Sequence, residues 1–85
     1  MSDTKSTVTV YSTTWCGFCK QAMKYFDSIN VKYSEIDVEK DQAAAEEMVK
    51  KTGQMGVPVI TIGEHTIVGF DKPKIDIALQ EAGIR

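Results

Sequence analysis

Alternating apolar and polar residues predict a first strand, and a helical repeat follows it. Thr7 to Ser12 is rich in β-branched residues and alternates in character, as expected of a strand. Apolar residues then recur at i, i+3, i+4, i+7 and i+10, which places them along one side of a helix that we expect to end near Asn30. The members of this stripe are Cys19, Ala22, Met23, Phe26 and Ile29.

A second strand and a second helix come next. Val31 to Val38 is typical of a strand, although the positions of Tyr33 and Ile36 leave its register open. Asp41 can cap the following helix, which is predicted to run through an alanine-rich segment to about Lys51. The residues expected to bury one side of this helix are Ala45, Met48 and Val49, and the residue expected to end it is Gly53.

The last part of the chain predicts a β-hairpin and a final helix. The hairpin strands are Pro58 to Ile62 and His65 to Val68, joined by the two-residue turn Gly63-Glu64 with glycine first. The pattern breaks at Gly69-Phe70-Asp71, and a helix with Pro73 in its first turn follows. Its apolar stripe is Ile75, Ala78, Leu79 and Ala82, and Gly83 ends it.

The element order β-α-β-α-β-β-α predicts an α/β fold. The first two strands are joined through a helix, so they should run parallel with a right-handed crossover, while the last two should form an antiparallel hairpin. We therefore expect a four-stranded mixed sheet flanked by three helices. The chain of 85 residues is short enough to be one domain, residues 1–85, in which we expect Met1 to Ser6 to be flexible.

Charge and composition narrow the classes of partner. The net charge is −2 and the lysines and arginines are dispersed, so no basic block could neutralise a nucleic-acid backbone. The first six residues are polar, unlike a signal peptide, and no apolar run approaches the ~20 residues of a membrane span. We expect a cytoplasmic monomer that has neither nucleic acid nor a membrane as a partner.

The only two cysteines of the chain, Cys16 and Cys19, lie between the first predicted strand and the first helix. In the cytoplasm, where thiols are kept reduced, such a close pair indicates a catalytic or metal-binding site more than a structural disulfide. A bridge between them would close so small a loop that it would hardly constrain the unfolded chain. Positions i and i+3 share one side of a helix, however, so the two sulfurs can approach and bond.

The two cysteines are expected to have different roles. Cys16 falls at the helix start, where free N–H groups and the helix dipole lower thiol pKa values from ~8.5 to roughly 3.5–7.5. We therefore predict that Cys16 is the exposed nucleophile, which attacks a disulfide and forms a mixed disulfide. Cys19 lies one turn further in on the buried stripe, and its thiol should stay protonated until it resolves that intermediate.

Other interpretations of these and nearby residues are open. A zinc site usually needs four ligands, and besides the cysteine pair the chain offers one histidine, His65, far along the sequence. We therefore expect no metal site and no tightly bound cofactor. Trp15 and Phe18 are candidates for an apolar rim that contacts substrates, whereas Tyr11 fits either that rim or the packed interior equally well.

Three segments together resemble the thioredoxin-like superfamily and, within it, the glutaredoxins and glutaredoxin-like electron donors. They are Tyr11 to Cys19, Gly56-Val57-Pro58, and Gly69-Phe70-Asp71, and the resemblance extends from Thr7 to about Ile84. It implies a thioredoxin fold and a dithiol thiol–disulfide oxidoreductase that reduces protein disulfides or glutathione mixed disulfides.

The resemblance also implies a binding site beside the cysteines. Pro58 would be the family's cis proline, and the backbone of Val57 would pair with a bound peptide or glutathione like an added strand. Gly69, Phe70 and Asp71 would hold the γ-glutamyl end of glutathione, through amides at a helix N-terminus. For Asp71 a plain helix cap is an equal alternative.

The electron donor and a second class of function stay open. Many glutathione-using members have Lys where this chain has Thr13 and Gly where it has Val68, so the donor is either glutathione as co-substrate or a flavoprotein thioredoxin reductase. Cys16-Gly17-Phe18-Cys19 also resembles the Cys-Gly-Phe-Ser motif of single-cysteine glutaredoxins. The alternative function is therefore an iron–sulfur cluster carrier, against which the second cysteine, Cys19, argues.

Overall fold

The computed structural model describes residues 8–53 and 56–84. Within them the elements follow the predicted order β-α-β-α-β-β-α. The strands are β1 (Val8–Ser12), β2 (Ser34–Asp37), β3 (Val59–Ile62) and β4 (His65–Val68), and the helices are α1 (Gly17–Ser28), α2 (Gln42–Thr52) and α3 (Lys72–Glu81). The predictions of a flexible Met1 to Ser6 and of Thr7 as the first strand residue lie outside the described residues.

The four strands form one sheet in the order β2-β1-β3-β4. Strand β1 pairs parallel with β2 and antiparallel with β3, and β3 pairs antiparallel with β4, which confirms the predicted mixed sheet. Tyr11 lies opposite Val59, and Val59 lies opposite Val68. The ends of β1, β2 and β4 and the start of β3 therefore meet at one edge, which we call the C-terminal edge of β1.

Two predicted strands are longer than the observed ones. The prediction of Val31 to Val38 was wrong at its start because the amide of Val31 donates to the Phe26 carbonyl at 2.9 Å and closes the end of α1. That amide is not free to join a ladder, and pairing begins only at Ser34. Strand β3 begins at Val59 instead of Pro58, since proline has no N–H to donate.

The helices begin and end near the residues that were predicted to cap or end them. The Asp41 carboxylate accepts the Ala44 amide at 3.0 Å and caps α2. Asn30, just after α1, and Gly53, just after α2, have φ values of 60° and 78°. These two residue types adopt the left-handed conformation most readily, so they end a helix at little cost. Helix α2 continues one residue beyond the predicted Lys51, to Thr52.

Both sheet faces are covered. On one face, α1 and α3 bury the larger cluster, which includes Phe26, Ile60 and Leu79; on the other, α2 packs against Tyr11 and Val59.

For the buried side of α2, the prediction was correct at Met48 but not at Ala45 and Val49. The buried residues are Ala44 and Met48, whereas Ala45 and Val49 are only half-buried. Positions 44 and 48 are four apart and so lie on one side of the helix, while each neighbouring position is turned by about 100°.

Candidate active site

The cysteine pair lies at the start of α1, where the loop after β1 turns into the helix. Cys16 is the N-cap residue, with extended backbone (φ −88°, ψ 110°), and the helix begins at Gly17. The Cys16 amide donates to the Thr13 carbonyl at 3.4 Å, which closes the loop that leads into the helix. The predicted position of Cys16 at the helix start is therefore confirmed.

Cys16 and Cys19 form a disulfide, with their Cα atoms 5.3 Å apart. The backbone amide of Cys19 also donates to Cys16 Sγ at 3.1 Å. A side chain at the N-cap position that accepts this amide satisfies one of the free donors of the first helical turn. The sulfur of Cys16 thus occupies the position in which serine or aspartate usually caps a helix.

The expectation that Cys16 is exposed is wrong for this oxidised state. Cys16 is only 5% exposed and Cys19 is fully buried. The reason is the bond itself, because it joins the sulfur of Cys16 to a residue on the buried side of α1. Cys19 lies deeper, as predicted. The exposed groups at the site are the flanking aromatic residues, Trp15 at 71% and Phe18 at 62%.

Glu39 holds the loop in front of the cysteines. Its Oε2 accepts the indole N–H of Trp15 at 2.8 Å, and its Oε1 accepts the Thr14 hydroxyl at 3.3 Å. Glu39 follows β2, so it reaches the loop because parallel strands end at the same edge of a sheet. Sequence analysis did not select it, and only this topological argument could have pointed to it.

The segment before β3 lies at the same edge. The Val57–Pro58 peptide bond is cis, as the resemblance implied, and Pro58 is buried while Val57 is half-buried. The Gly69 amide donates to the Pro58 carbonyl at 2.8 Å, and Gly69 has a φ of 85°. The structure therefore brings Val57, Pro58 and Gly69 together at the C-terminal edge of β1, where the cysteine loop begins.

Phe70 and Asp71 also serve the fold. The Phe70 ring centroid lies 6.1 Å from that of Tyr25 on α1. The Asp71 carboxylate accepts the Lys74 amide at 3.3 Å, so Asp71 is the N-cap of α3. The helix-cap interpretation of Asp71 is therefore confirmed.

Residues before the cysteine loop point into the molecule. Tyr11 is 3% exposed, which decides between the two alternatives in favour of packing. Its hydroxyl donates to Glu47 at 3.3 Å, and burial together with this carboxylate raises the pKa of Tyr11. Ser12 donates to Glu35 at 3.0 Å. The buried hydroxyl of Thr13 has no hydrogen-bond partner among the described residues.

His65 is far from this edge. It pairs with Ile62 at the opposite end of the sheet, and its Nε2 lies 3.0 Å from Glu81 Oε1. Among residues 8–53 and 56–84, no group of three or more His, Cys, Asp and Glu residues could hold a metal ion. In the same part of the chain, no helix is long and apolar enough to cross a membrane.

The sheet order, the three helices and the cysteine pair at the N-terminus of α1 define a thioredoxin-fold protein with a redox-active dithiol. The sequence profile of the glutaredoxin family matches residues 8–67. The chain belongs to the glutaredoxin family.

Individual relatives agree with this assignment. An uncharacterized glutaredoxin-like 8.6 kDa protein in the rubredoxin operon of Clostridium pasteurianum is 38% identical over 74 residues, covering 87% of this chain and 99% of that protein. The glutaredoxin of Pseudomonas aeruginosa is 33% identical over 76 residues, covering 89% of this chain and 87% of that protein. A buckwheat glutaredoxin–glutathione complex superposes with a TM-score of 0.76 at 28% identity, covering 96% of this chain and 84% of that one.

Proposed function

We propose that this protein is a dithiol thiol–disulfide oxidoreductase that reduces protein disulfides or glutathione mixed disulfides. The observation that carries the proposal is the state of Cys16. Its sulfur caps α1, accepts the Cys19 amide at 3.1 Å and is bonded to Cys19. One position thus combines a donor that can stabilise a thiolate with a partner that can resolve a mixed disulfide.

Cys16 is the nucleophile in this proposal. When the disulfide is reduced, the amide of Cys19 and the dipole of α1 favour negative charge on the Cys16 sulfur, and thiols in such positions have pKa values below the usual ~8.5. Cys19 is fully buried on the inner side of the helix. Burial among apolar groups disfavours a thiolate, so Cys19 keeps its proton until the mixed disulfide forms next to it.

The reaction has two exchange steps. The Cys16 thiolate attacks one sulfur of the substrate disulfide, the substrate S–S bond breaks, and the released thiolate takes up a proton. Cys19 then loses its proton and attacks Cys16, which breaks the mixed disulfide and frees the second substrate thiol. Two electrons have passed from the dithiol to the substrate, and the protein is left with the Cys16–Cys19 disulfide seen in the structure.

The substrate surface in this proposal surrounds the pair. Trp15 and Phe18 offer exposed apolar faces on either side of Cys16 in the sequence. Val57 precedes the β3 ladder, so its backbone can pair with an extended substrate segment before the buried Pro58. Gly69 and the backbone amides of Phe70 and Asp71 lie before α3, where a carboxylate such as that of a γ-glutamyl group is favoured.

We infer that two molecules of glutathione or one flavoprotein thioredoxin reductase return the electrons, in the cytoplasm. Support for glutathione comes from the buckwheat relative, whose structure is a complex with it. Support for a reductase comes from Thr13 and Val68, which stand where many glutathione-using members have Lys and Gly. A coupled assay decides between them: NADPH is supplied with either glutathione and glutathione reductase or thioredoxin reductase alone, and NADPH oxidation is followed with a disulfide substrate.

Two serine variants test the roles of the cysteines. Cys16→Ser should abolish turnover with either donor system. Cys19→Ser should form a stable mixed disulfide, seen as an increase in intact mass that a reductant reverses, and the Cys16→Ser/Cys19→Ser double variant controls for non-specific adducts. A Cys16→Ser protein that still forms the adduct, with an unreactive Cys19→Ser protein, would reverse the assignment.

The iron–sulfur alternative has a different signature. A cluster carrier would become brown, absorb visible light and dimerise after anaerobic reconstitution with iron and sulfide. A colourless monomer that turns over disulfides would exclude it.

A further inference from the structure

Trp15 combines high exposure with a fixed polar anchor. It is the only tryptophan in the chain, and 71% of it is exposed beside Cys16. Its indole N–H nevertheless donates to Glu39 Oε2 at 2.8 Å. An indole N–H at an exposed site could donate to water equally well, so this hydrogen bond is not needed to satisfy it. Its effect is to restrict the orientation of a large apolar surface.

Glu39 is itself held in a hydrogen-bonded turn. Its amide donates to Asp37 Oδ1 at 2.9 Å, and the Asp41 amide donates to the Asp37 carbonyl at 2.9 Å. The Val38 amide donates to the Ser12 carbonyl at 2.9 Å, which ties the turn to the end of β1. These contacts fix the backbone of Glu39 relative to the cysteine loop, so its side chain starts from a defined position.

Both carboxylate oxygens are used on successive residues of that loop. Oε1 accepts the Thr14 hydroxyl at 3.3 Å while Oε2 accepts Trp15. Because both oxygens are engaged, these contacts define the orientation of the Glu39 carboxylate as well as its distance from the loop. Fixing the indole before a partner arrives removes part of the side-chain entropy loss from the association step.

We propose that Glu39 is a positioning residue that determines substrate class, because it holds Trp15 as a preformed docking face for protein disulfides. This inference rests on the proposed oxidoreductase function. A folded protein substrate extends far enough from its disulfide to cover the indole, whereas a small organic disulfide reaches the sulfur of Cys16 without doing so. Loss of Glu39 should therefore weaken binding of protein substrates and leave the exchange chemistry intact.

The experiment compares Glu39→Ala and Glu39→Gln with a matched control, Glu64→Ala. Glu64 is an exposed glutamate in the β3–β4 turn, at the opposite end of the sheet, so its removal changes the net charge equally. For each protein, the reduction of insulin and of bis(2-hydroxyethyl) disulfide is measured. Dithiothreitol is the electron donor, so that the result does not depend on the physiological donor. For Glu39→Ala we expect the KM for insulin to rise about three- to tenfold with unchanged kcat. Turnover of the small disulfide should stay at the wild-type value.

Glu39→Gln provides the conservative rescue. Its amide oxygen can still accept the Trp15 indole, so its KM for insulin should lie closer to the wild-type value. The second readout is the fluorescence anisotropy decay of Trp15, which no other tryptophan obscures. Glu39→Ala should add a fast component to that decay, and Glu64→Ala should not.

A double-mutant cycle keeps the inference testable if Glu39→Ala is poorly folded. Glu39→Met keeps a side chain of similar length but has only a weak acceptor. It should raise the KM for insulin, as should Trp15→Ala, and combining the two substitutions should have no further effect. Equal losses on insulin and on the small disulfide, additive effects in the cycle, or an unchanged anisotropy decay would each overturn the role of Glu39. Failure of the wild-type protein to reduce either substrate would instead overturn the proposed function.

Discussion

Helix α1 contains two phenylalanines, one buried in the core and one exposed beside the cysteine pair. Phe26 is fully buried in the larger core cluster, and its ring centroid lies 5.8 Å from that of Tyr33. Phe18, two turns earlier on the same helix, is 62% exposed beside Cys16. The same substitution, Phe→Ala, therefore removes a core side chain in one case and a surface side chain in the other.

The difference in stability follows from burial. Replacing a fully buried phenylalanine by alanine typically costs about 3–5 kcal/mol, from lost transfer free energy plus the cavity that remains. A domain of this length has an unfolding free energy of about 4–13 kcal/mol, at ~0.05–0.15 kcal/mol per residue. Phe26→Ala should therefore lower Tm by at least about 12 °C, at ~4 °C or more per kcal/mol. Phe18→Ala should change the unfolding free energy by less than about 0.5 kcal/mol.

Urea denaturation followed by circular dichroism gives both free energies, and disulfide reduction is measured at a temperature where both variants are folded. We expect Phe26→Ala to be unstable but active when folded, and Phe18→Ala to be stable with a raised KM for a protein disulfide. A loss above about 1.5 kcal/mol for Phe18→Ala would show that this ring packs in the fold. A loss below about 1 kcal/mol for Phe26→Ala would contradict the observed core.

Two further predictions concern pH and helix capping. Because burial and the Glu47 carboxylate raise the pKa of Tyr11 above 10.0, its stabilising contribution is complete below pH ~10 and is lost as the pH rises through the folded-state pKa. Above pH ~10, the unfolding free energy of the wild type should therefore fall more steeply than that of Tyr11→Phe; parallel curves would refute this. Asp41→Ala should lower the unfolding free energy in urea by about 1 kcal/mol because it removes the cap of α2. Asp41→Asn should retain most of that free energy, and the control Lys40→Ala should not change it. Equal losses for the two Asp41 variants would show that the negative charge matters more than the cap.

Much of the fold could be predicted because its signals are local. The stripe of α1, the caps at Asp41 and Asn30 and the β3–β4 hairpin depend on neighbouring residues, and all of them are observed. The errors came from tertiary contacts. Val31 is as apolar as a strand residue, yet its amide closes α1, and the α-helical period alone could not show that Ala44 would be buried more deeply than Ala45.

In the site, too, the local features could be predicted from the sequence and the features that depend on tertiary contacts could not. The spacing of Cys16 and Cys19 predicted that they could bond, and the structure has the disulfide. Their exposure could not be predicted, because it depends on which way the bonded sulfur of Cys16 turns. Glu39 carries no recognisable motif, since a single glutamate after a short edge strand is ordinary in sequence. Its contact with the cysteine loop follows only from the parallel pairing of β1 with β2, which brings its carboxylate within 2.8 Å of the Trp15 indole nitrogen.

Strand order also determines the order of groups along the site. The sheet runs β2-β1-β3-β4, and at the C-terminal edge of β1 these strands are continued by Glu39, the cysteine loop, Pro58 and Gly69 respectively. The anchored Trp15 therefore lies on the β2 side of the cysteines, and the Pro58–Gly69 contact lies on the β4 side. Since Glu39 anchors Trp15 on the β2 side and the proposed glutathione loop lies on the β4 side, a change at Glu39 should alter reduction of protein disulfides without altering reactivity towards glutathione.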